Sequence, residues 1–212
     1  MRIAVFGSGL MGGKLGTIFA RAEHEVTFSY SRSERKLAKL AREAGARAGT
    51  LREAAQDADA VLLAVHCLRF DDVLKQAGHL AGKVVITCSL PMNEQNTELV
   101  VGRTSSGAEA LAKKLPKARV VSAFNTVPSA VLFGVFAARR KARRPSLVIC
   151  GDDRRGKRVA AGLIRDAGFD PLDAGPLRVA RYTEHFALLV AQLAYEGRGG
   201  LELAYRFERS GK

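Results

Sequence analysis

Short apolar runs alternate along this chain with stretches in which apolar residues recur at helical spacing. The run at 60–65 is apolar throughout, which is typical of a parallel strand buried on both faces. Similar runs predict further strands at 3–6, 25–30, 83–87, 119–123 and 146–150. Helical stretches are predicted near 15–20 and at 33–44, 70–80, 106–115, 154–167 and 176–196. The alternation predicts an α/β fold with a doubly wound, mostly parallel sheet.

The same pattern predicts how the chain is organised. We expect residues 1–145 to form a larger domain and residues 146–212 a small C-terminal α/β extension packed on it. The extension is predicted to end in a short strand over 202–207, where apolar and polar residues alternate. No linker rich in Pro, Gly or Ser separates the two parts. The long helix at 176–196 and the final strand offer surfaces for a homodimer.

A glycine motif lies between the first strand and the first helix. Gly7, Gly9 and Gly12 form a GxGxxG pattern, which is weak evidence alone but stronger between a strand and a helix. In a Rossmann-type fold the first glycine permits the turn, the second lets a pyrophosphate approach, and the third lets the helix pack on the strand. The alternative is a glycine-rich turn without a ligand. The residues predicted to bind a dinucleotide here are Gly7, Ser8, Gly9, Leu10, Met11 and Gly12.

The end of the second strand indicates which dinucleotide is bound. NAD-binding proteins usually carry Asp or Glu about 20 residues after the glycines, to bind the ribose 2′-hydroxyl. This chain has Ser31 and Arg32 there, whose hydroxyl and guanidinium suit a 2′-phosphate. Lys36 follows in the first turn of the next helix and either faces the same anion or is a solvated helix residue. The pattern favours NADP(H), so residues 1–145 are predicted to be an NADP-binding domain.

The strongly basic composition also points to anionic ligands. The formal net charge is +13, but Lys and Arg are scattered over the predicted helix faces. The exception is the basic cluster at 139–144, which has no interleaved aromatic residues. We interpret it as a solvated loop, then as a platform for an acidic substrate tail, and last as a nucleic-acid patch. No nucleic-acid partner is expected.

The remaining composition argues against metal, disulfide and membrane functions. Cys67, Cys88 and Cys150 are far apart and lack zinc-ligand spacing, so we expect reduced thiols and no metal site. Met1 and Arg2 lead directly into the first strand, without a signal peptide. No apolar run approaches the roughly 20 residues of a membrane span. The expectation is a cytoplasmic protein with no membrane partner.

Several segments in order resemble the NADP oxidoreductases that act with coenzyme F420, a deazaflavin. The fold of that family is shared by the reductase domain of transmembrane metalloreductases. The most specific segments are AFNTV at 123–127 and DAGPL at 173–177. The others are IAVFGSGLMG at 3–12, SR at 31–32, VLLAV at 61–65, SGAE at 106–109, LPKARVV at 115–121 and AR at 180–181.

The chain departs from the family at two positions. Archaeal deazaflavin reductases often carry His in place of Asn125, and many relatives have an Asn-Pro pair where this chain reads Ser89-Leu90-Pro91. The resemblance implies that both positions touch the second substrate. It implies hydride transfer between NADP(H) and F420 or a flavin such as FMN or FAD. The residues implied to line the hydride-transfer pocket are Val65, His66, Ser89, Asn125, Thr126 and Val127.

The residues themselves favour catalysis by positioning. Hydride transfer between two rings needs the reacting carbons about 3 to 3.5 Å apart and water excluded, with little proton transfer from side chains. The sequence has no Tyr-x-x-x-Lys pair placed as in short-chain dehydrogenases and no recognisable Ser-His-Asp constellation. His66 and Asn125 are the positioning candidates, although His66 could equally be a strand-end histidine with a backbone partner.

Three phenylalanines and two residues of the predicted long helix are further candidates for the pocket. Phe124, Phe133 and Phe136 could wall a ring-shaped ligand, but aromatic residues at this spacing are more often core residues. Glu184 and His185 lie on the predicted long helix, from which they could reach the pocket.

Two other functions remain open from the sequence. One is a non-catalytic NADPH-binding sensor or partner protein, in which Ser89 and Asn125 have drifted from a productive pocket. The other is a small hydroxyacid or imine reductase, which also opens with GxGxMG. That class carries a large helical C-terminal domain, whereas only about 60 residues follow position 146 here.

Overall fold

The computed structural model describes residues 1–101 and 104–210 and contains an eight-stranded sheet. The strand order is β3-β2-β1-β4-β5-β6-β7-β8. Every neighbouring pair is parallel except β6 and β7. The first six strands have the order of a Rossmann fold, which confirms the predicted fold class. The strands are β1 (Arg2–Phe6), β2 (Glu25–Ser29), β3 (Arg47–Ala48), β4 (Ala60–Leu63), β5 (Val84–Thr87), β6 (Arg119–Ser122), β7 (Ser146–Gly151) and β8 (Asp170–Asp173).

Helices cover both faces of the sheet and bury two apolar cores. One core packs α1, α2, α6 and α7 against the sheet around Phe19, Phe28 and Phe169. The other packs α3, α4, α5 and the start of α8 around Phe6 and Leu111. The helices are α1 (Leu10–Arg21), α2 (Glu34–Ala44), α3 (Leu51–Asp57), α4 (Phe70–Ala77), α5 (Gly107–Lys114), α6 (Leu132–Ala137), α7 (Arg154–Asp166) and α8 (Ala180–Tyr195).

Side-chain caps fix where several helices begin. The Ser33 hydroxyl accepts from the backbone N–H of Lys36, and Ser106 does the same for Glu109. Thr50 and Glu53 form a reciprocal capping box at the start of α3. Because an uncapped first turn leaves backbone donors unsatisfied, these caps set the helix boundaries.

The structure contains four short elements that have no counterpart among the predicted ranges. They are the strand β3, the helices α3 and α6, and the strand β8. The strand β3 has only two residues, both exposed, so it leaves no apolar pattern. The strand β8 contains Pro171, which lacks a backbone N–H and is tolerated because β8 is an edge strand.

The C-terminal part also differs from the prediction. The prediction of a strand over 202–207 is wrong, because no residue of this segment belongs to a strand. Its bonds to β7 are isolated, since the N–H of Ser146 donates to the Tyr205 carbonyl and the N–H of Phe207 donates to the Ser146 hydroxyl. The predicted long helix begins with a 3-10 turn, Leu177–Val179, before α8. Strands β7 and β8 extend the same sheet as β1 to β6.

Candidate functional site

The candidate site lies where the carboxyl ends of five strands meet. Strands β1, β2, β4, β5 and β6 are mutually parallel, so the residues that follow them share one edge of the sheet. The strand order reverses between β1 and β4, and ligands of open α/β sheets bind at such a switch point. The predicted site residues follow these strands, which brings segments far apart in sequence to one edge.

The three motif glycines have distinct surroundings. Gly7 has a φ of 107°, a left-handed conformation that favours glycine. A Cβ atom on Gly12 would collide with the carbonyl oxygen of Gly7, so Gly12 allows α1 to approach β1 closely. A Cβ atom on Gly9 would meet nothing within 4 Å. Gly9 caps α1 without a side-chain hydrogen bond, so backbone N–H groups of the first turn face open space.

A cavity of about 1020 Å³, here called the larger cavity, opens beside this motif. Its wall contains the predicted dinucleotide contacts Gly7, Ser8, Gly9, Ser31 and Arg32, and also Val65 and His66 of the predicted hydride-transfer pocket. Arg32 is exposed and forms no ion pair within the part of the chain that the structure describes. The lining residues are Gly7, Ser8, Gly9, Tyr30, Ser31, Arg32, Ala64, Val65, His66, Leu68, Arg69, Glu94 and Asn96.

Tyr30 and Arg69 are two of the lining residues of the larger cavity that the sequence did not predict. Tyr30 has a positive φ of 63°, and its hydroxyl donates to Asp72 Oδ2 at 2.8 Å. Partial burial, together with the bond to Asp72, raises the pKa of Tyr30, while the same bond lowers the pKa of Asp72. Arg69 brings a second guanidinium to the cavity. The signal for Arg69 was its position just after β4, at the same sheet edge as Arg32.

A smaller cavity of about 390 Å³ adjoins the larger one, and both are lined by Val65, His66 and Asn96. Its wall is mostly apolar, and α8 closes one side. The lining residues are Leu10, Met11, Val65, His66, Cys88, Ser89, Leu90, Met92, Asn96, Phe124, Asn125, Val127, Pro128, Ser129, Ala187, Val190, Ala191 and Tyr195.

Two residues that line the smaller cavity carry three buried polar atoms without a partner among the described residues. His66 Nε2, Asn125 Nδ2 and Asn125 Oδ1 have no hydrogen-bond partner among the described residues. The His66 Nδ1 atom accepts from the backbone N–H of Leu68 at 3.3 Å, as its structural interpretation expected. The Ser89 hydroxyl donates to the Val65 carbonyl at 2.6 Å and thereby ties the end of β5 to that of β4. Buried polar groups normally have hydrogen-bond partners, so three unpaired polar atoms on two residues of its wall make the smaller cavity a candidate ligand site.

A hairpin over 91–100 lies across both cavities. Met92 and Leu99 form an antiparallel bridge, and the N–H of Val100 donates to the Pro91 carbonyl at 2.7 Å. The Asn93 side chain closes the tip by bonding Thr97. Met92 lines the smaller cavity, Glu94 the larger one, and Asn96 both.

Several predicted residues lie outside both cavities. Thr126 is fully buried and lines neither cavity, and its hydroxyl is bonded to the Tyr205 hydroxyl at 2.6 Å. Lys36 is exposed on α2 and lines neither cavity. Gly12 acts through packing. Glu184 is buried but accepts from the N–H groups of Gly107 and Ala108, and His185 bonds the Arg181 carbonyl.

The aromatic residues and thiols have mainly structural surroundings. Phe124 and Phe136 are core residues, as predicted, whereas Phe133 is partly exposed beneath Lys14 and Arg21. The three cysteines are free thiols, and burial raises the pKa of both Cys88 and Cys150 to about 12. Within residues 1–101 and 104–210, no group of three or more His, Cys, Asp or Glu could hold a metal ion. No helix in those ranges is long and apolar enough to cross a membrane.

Comparison with known proteins finds a family model that matches part of the chain. Residues 2–91 match the family described as NADP oxidoreductase, coenzyme F420-dependent. The match spans the glycine motif, Arg32 and the end of β5, and it confirms the resemblance stated from the sequence. The family is one of NADP-dependent oxidoreductases.

Three known proteins are similar to this chain. The rat metalloreductase STEAP3 is 31% identical over 136 residues, which are 64% of this chain and 26% of the rat protein. The F420-dependent NADP reductase of Methanocaldococcus jannaschii is 27% identical over 159 residues, 70% of this chain and 68% of that protein. A candidate F420-dependent NADP-reductase of Arthrobacter sp. FB24 has a TM-score of 0.86 at 24% identity, over 99% of this chain and 100% of its own. The Arthrobacter structure supports the fold.

Proposed function

We propose that this protein is an NADP(H)-dependent oxidoreductase that exchanges a hydride between the nicotinamide and a flat ring acceptor, either F420 or a flavin such as FMN or FAD. The dinucleotide would lie in the larger cavity and the acceptor ring in the smaller one. The observation that carries the proposal is the junction of the two cavities at Val65, His66 and Asn96. Direct hydride transfer requires two rings to meet at such a junction.

The residues of the larger cavity fit NADP(H). The space above Gly9 is open, and the free N–H groups at the start of α1 suit a pyrophosphate. Arg32 offers planar donors to a 2′-phosphate, and Arg69 adds positive charge to the same cavity. No carboxylate at the end of β2 would repel that phosphate. The family and two relatives with NADP in their names are consistent with this choice.

The chemistry assigned to the chain is binding, orientation and exclusion of water. When bound, NADPH supplies a hydride to the acceptor ring. Met11, Val65 and Phe124 form an apolar wall that keeps water from the junction. The bond from Ser89 to the Val65 carbonyl holds Val65 in that wall, because it joins the end of β5 to the end of β4. No side chain needs to accept a substrate proton in this scheme.

Stopped-flow mixing of NADPH with F420, FMN and FAD tests the proposal. Oxidation of NADPH by at least one of them, with reduction of the ring seen in its own absorbance, is the expected result. The Gly9→Ala variant is the control, because it should fold while losing the dinucleotide. Thermal stabilisation by NADPH without oxidation by any of the three rings would refute the enzyme and would instead support a non-catalytic NADPH-binding protein.

A further inference from the structure

The segment 201–207, here called the strap, is fastened to the start of β7. The backbone N–H of Ser146 donates to the Tyr205 carbonyl at 2.8 Å, and the N–H of Phe207 donates to the Ser146 hydroxyl at 3.0 Å. The strand β7 is buried along its whole length. Because the strap is bonded to a buried strand, its middle residue has a fixed base from which to reach other elements.

Tyr205 reaches from the strap to two elements that line the smaller cavity. Its ring lies edge-on against Phe186 of α8, with the ring centroids 5.0 Å apart. Its hydroxyl is bonded at 2.6 Å to the hydroxyl of Thr126, in the turn that follows β6. The helix α8 lines one side of the smaller cavity, and Thr126 lies between Asn125 and Val127, which also line it. Tyr205 therefore connects two parts of that cavity's wall.

The turn that follows β6 has a conformation that must be held in place. Phe124 has a φ of 65°, a left-handed conformation that a bulky side chain rarely adopts, and it is fully buried. Such strain persists only where surrounding contacts fix the backbone. Thr126 is also fully buried, and among the described residues its hydroxyl bonds only that of Tyr205. The bond between the two hydroxyls is thus an anchor for a strained turn.

We propose that Tyr205 is a positioning residue, and that the strap holds the turn at 124–127 so that Asn125 and Val127 keep their places in the wall of the smaller cavity. Tyr205 lines neither cavity and acts through Thr126. The anchoring of the turn is independent of the proposed function, whereas its consequence for hydride transfer rests on it. Hydride transfer depends on the alignment of the reacting rings, so a looser wall should slow the transfer.

Three variants separate positioning from stability. Tyr205→Phe and Thr126→Val each remove one hydroxyl and leave the other buried and unpaired, so each should lower the melting temperature. The double variant removes both hydroxyls and keeps similar shapes, so its melting temperature should return to within about 2 °C of the wild type. An effect that persists in the double variant is therefore due to the missing anchor. Tyr182→Phe, which removes an exposed hydroxyl from α8, is the matched control.

Hydrogen exchange measures the anchoring directly. Mass spectrometry of peptides that cover residues 119–131 should show amide exchange about 3- to 10-fold faster in Tyr205→Phe than in the wild type. The double variant should show the same increase, expressed as protection factors so that the change of residue 126 is corrected for. Peptides from α2 and α3 should exchange as in the wild type, and Tyr182→Phe should match the wild type throughout.

Single-turnover kinetics measure the consequence for the reaction. NADPH is mixed with the acceptor that the wild type reduces fastest among F420, FMN, FAD and lumiflavin, the flavin ring without a phosphate. We expect the rate constant of hydride transfer at saturation to fall about 10-fold in Tyr205→Phe and in the double variant. The dissociation constant of NADPH should stay within about 2-fold of the wild-type value, because its phosphates are held by other elements.

Several results would overturn the inference. Unchanged exchange in Tyr205→Phe would show that the bond does not anchor the turn. Exchange or a rate constant that returns to the wild-type value in the double variant would show that the bond acts through stability alone. Faster exchange with an unchanged rate constant would remove the positioning role. If the wild type oxidises no NADPH, the proposed function fails instead, and the exchange measurement alone decides whether the strap anchors the turn.

Discussion

Gly9 and Gly12 belong to one motif but face different neighbours. The space around Gly9 is empty within 4 Å of a Cβ position, whereas Gly12 abuts the Gly7 carbonyl. Gly9 has a φ of −75°, which alanine adopts without strain. Gly9 is thus available to a ligand, and Gly12 is required by packing.

Alanine substitution should separate these two roles. We expect Gly9→Ala to keep its melting temperature and to lose NADPH affinity by about 10-fold or more, because the added methyl group occupies the approach of the pyrophosphate. Gly12→Ala should lower the free energy of unfolding by about 1 to 3 kcal/mol through overpacking. Calorimetric melting and NADPH titration measure both effects, and a destabilised Gly9→Ala with normal NADPH affinity would contradict this assignment.

Arg32 should determine the preference for the phosphorylated dinucleotide. Its guanidinium faces the larger cavity without a described ionic partner, so Arg32→Ala removes a charged hydrogen-bond donor from the 2′-phosphate. We expect a loss of about 1.5 to 3 kcal/mol in NADPH binding and a much smaller change for NADH. Dissociation constants for both nucleotides test this, with Lys36→Ala as the matched control because Lys36 lines neither cavity. Equal losses for the two nucleotides would refute the role of Arg32.

Residues that follow strands were predictable, while residues placed by side-chain packing were not. The family resemblance implied a place in the pocket for Val65, Ser89 and Asn125, and all three follow strands that the apolar pattern predicts. Thr126 follows Asn125 directly but points the other way, toward Tyr205, and that hydroxyl pair is invisible in the sequence. Tyr30 enters the cavity through a positive φ that no local propensity predicts for tyrosine.

At the scale of elements, Glu184 connects α8 to the start of α5. Its carboxylate accepts from the N–H groups of Gly107 and Ala108 at 3.0 and 3.1 Å, and Glu109 pairs with Arg181 at 2.6 Å. Burial raises the pKa of Glu184 even though both backbone bonds lower it. Because α8 lines the smaller cavity, this connection holds one wall of the site.

Substitutions at Glu184 should reveal the connection. Glu184→Ala leaves two buried backbone donors unsatisfied and should lower the free energy of unfolding by about 1 to 3 kcal/mol. Glu184→Gln keeps an acceptor oxygen, so its free energy of unfolding should fall less than that of Glu184→Ala. The raised pKa means that the folded protein holds this proton more tightly, so its contribution to stability declines as pH rises above the ordinary value of 4.5. Denaturant unfolding across pH should show that the free energy of unfolding of Glu184→Gln increases relative to that of the wild type as pH rises. If the two free energies changed in parallel with pH, the raised pKa would be contradicted.

The two strands that the sequence did not predict share a physical cause. Sequence periodicity detects strands that bury a face, and β1, β4 and β5 are buried at nearly every position. The strands β3 and β8 lie at the two edges of the sheet and are at most partly buried. Their existence depends on neighbouring strands that offer free hydrogen-bonding groups, which is a tertiary effect.

At the scale of the whole molecule, the outer face of α8 carries exposed apolar side chains. Leu189 and Leu193 are 54% and 52% exposed, one helical turn apart, and Tyr182 is exposed on the same helix. The homodimer expected from the sequence stays a prediction. Light scattering after size exclusion should give twice the mass of 22.8 kDa, and Leu189→Glu with Leu193→Glu should return the monomer mass. A monomeric wild-type protein would refute the homodimer.

The hairpin over 91–100 has a thermodynamic consequence. Its residues line both cavities. A ligand in either cavity therefore contributes to the free energy of ordering the hairpin, and a second ligand then binds to a hairpin that is already ordered. The two ligands are therefore linked: NADP⁺ should tighten lumiflavin binding by the same factor by which lumiflavin tightens NADP⁺. Titrating each ligand with and without the other closes this cycle. Asn93→Ala disrupts the hairpin tip. If each ligand then no longer changes the affinity of the other, the coupling is carried by this ten-residue hairpin.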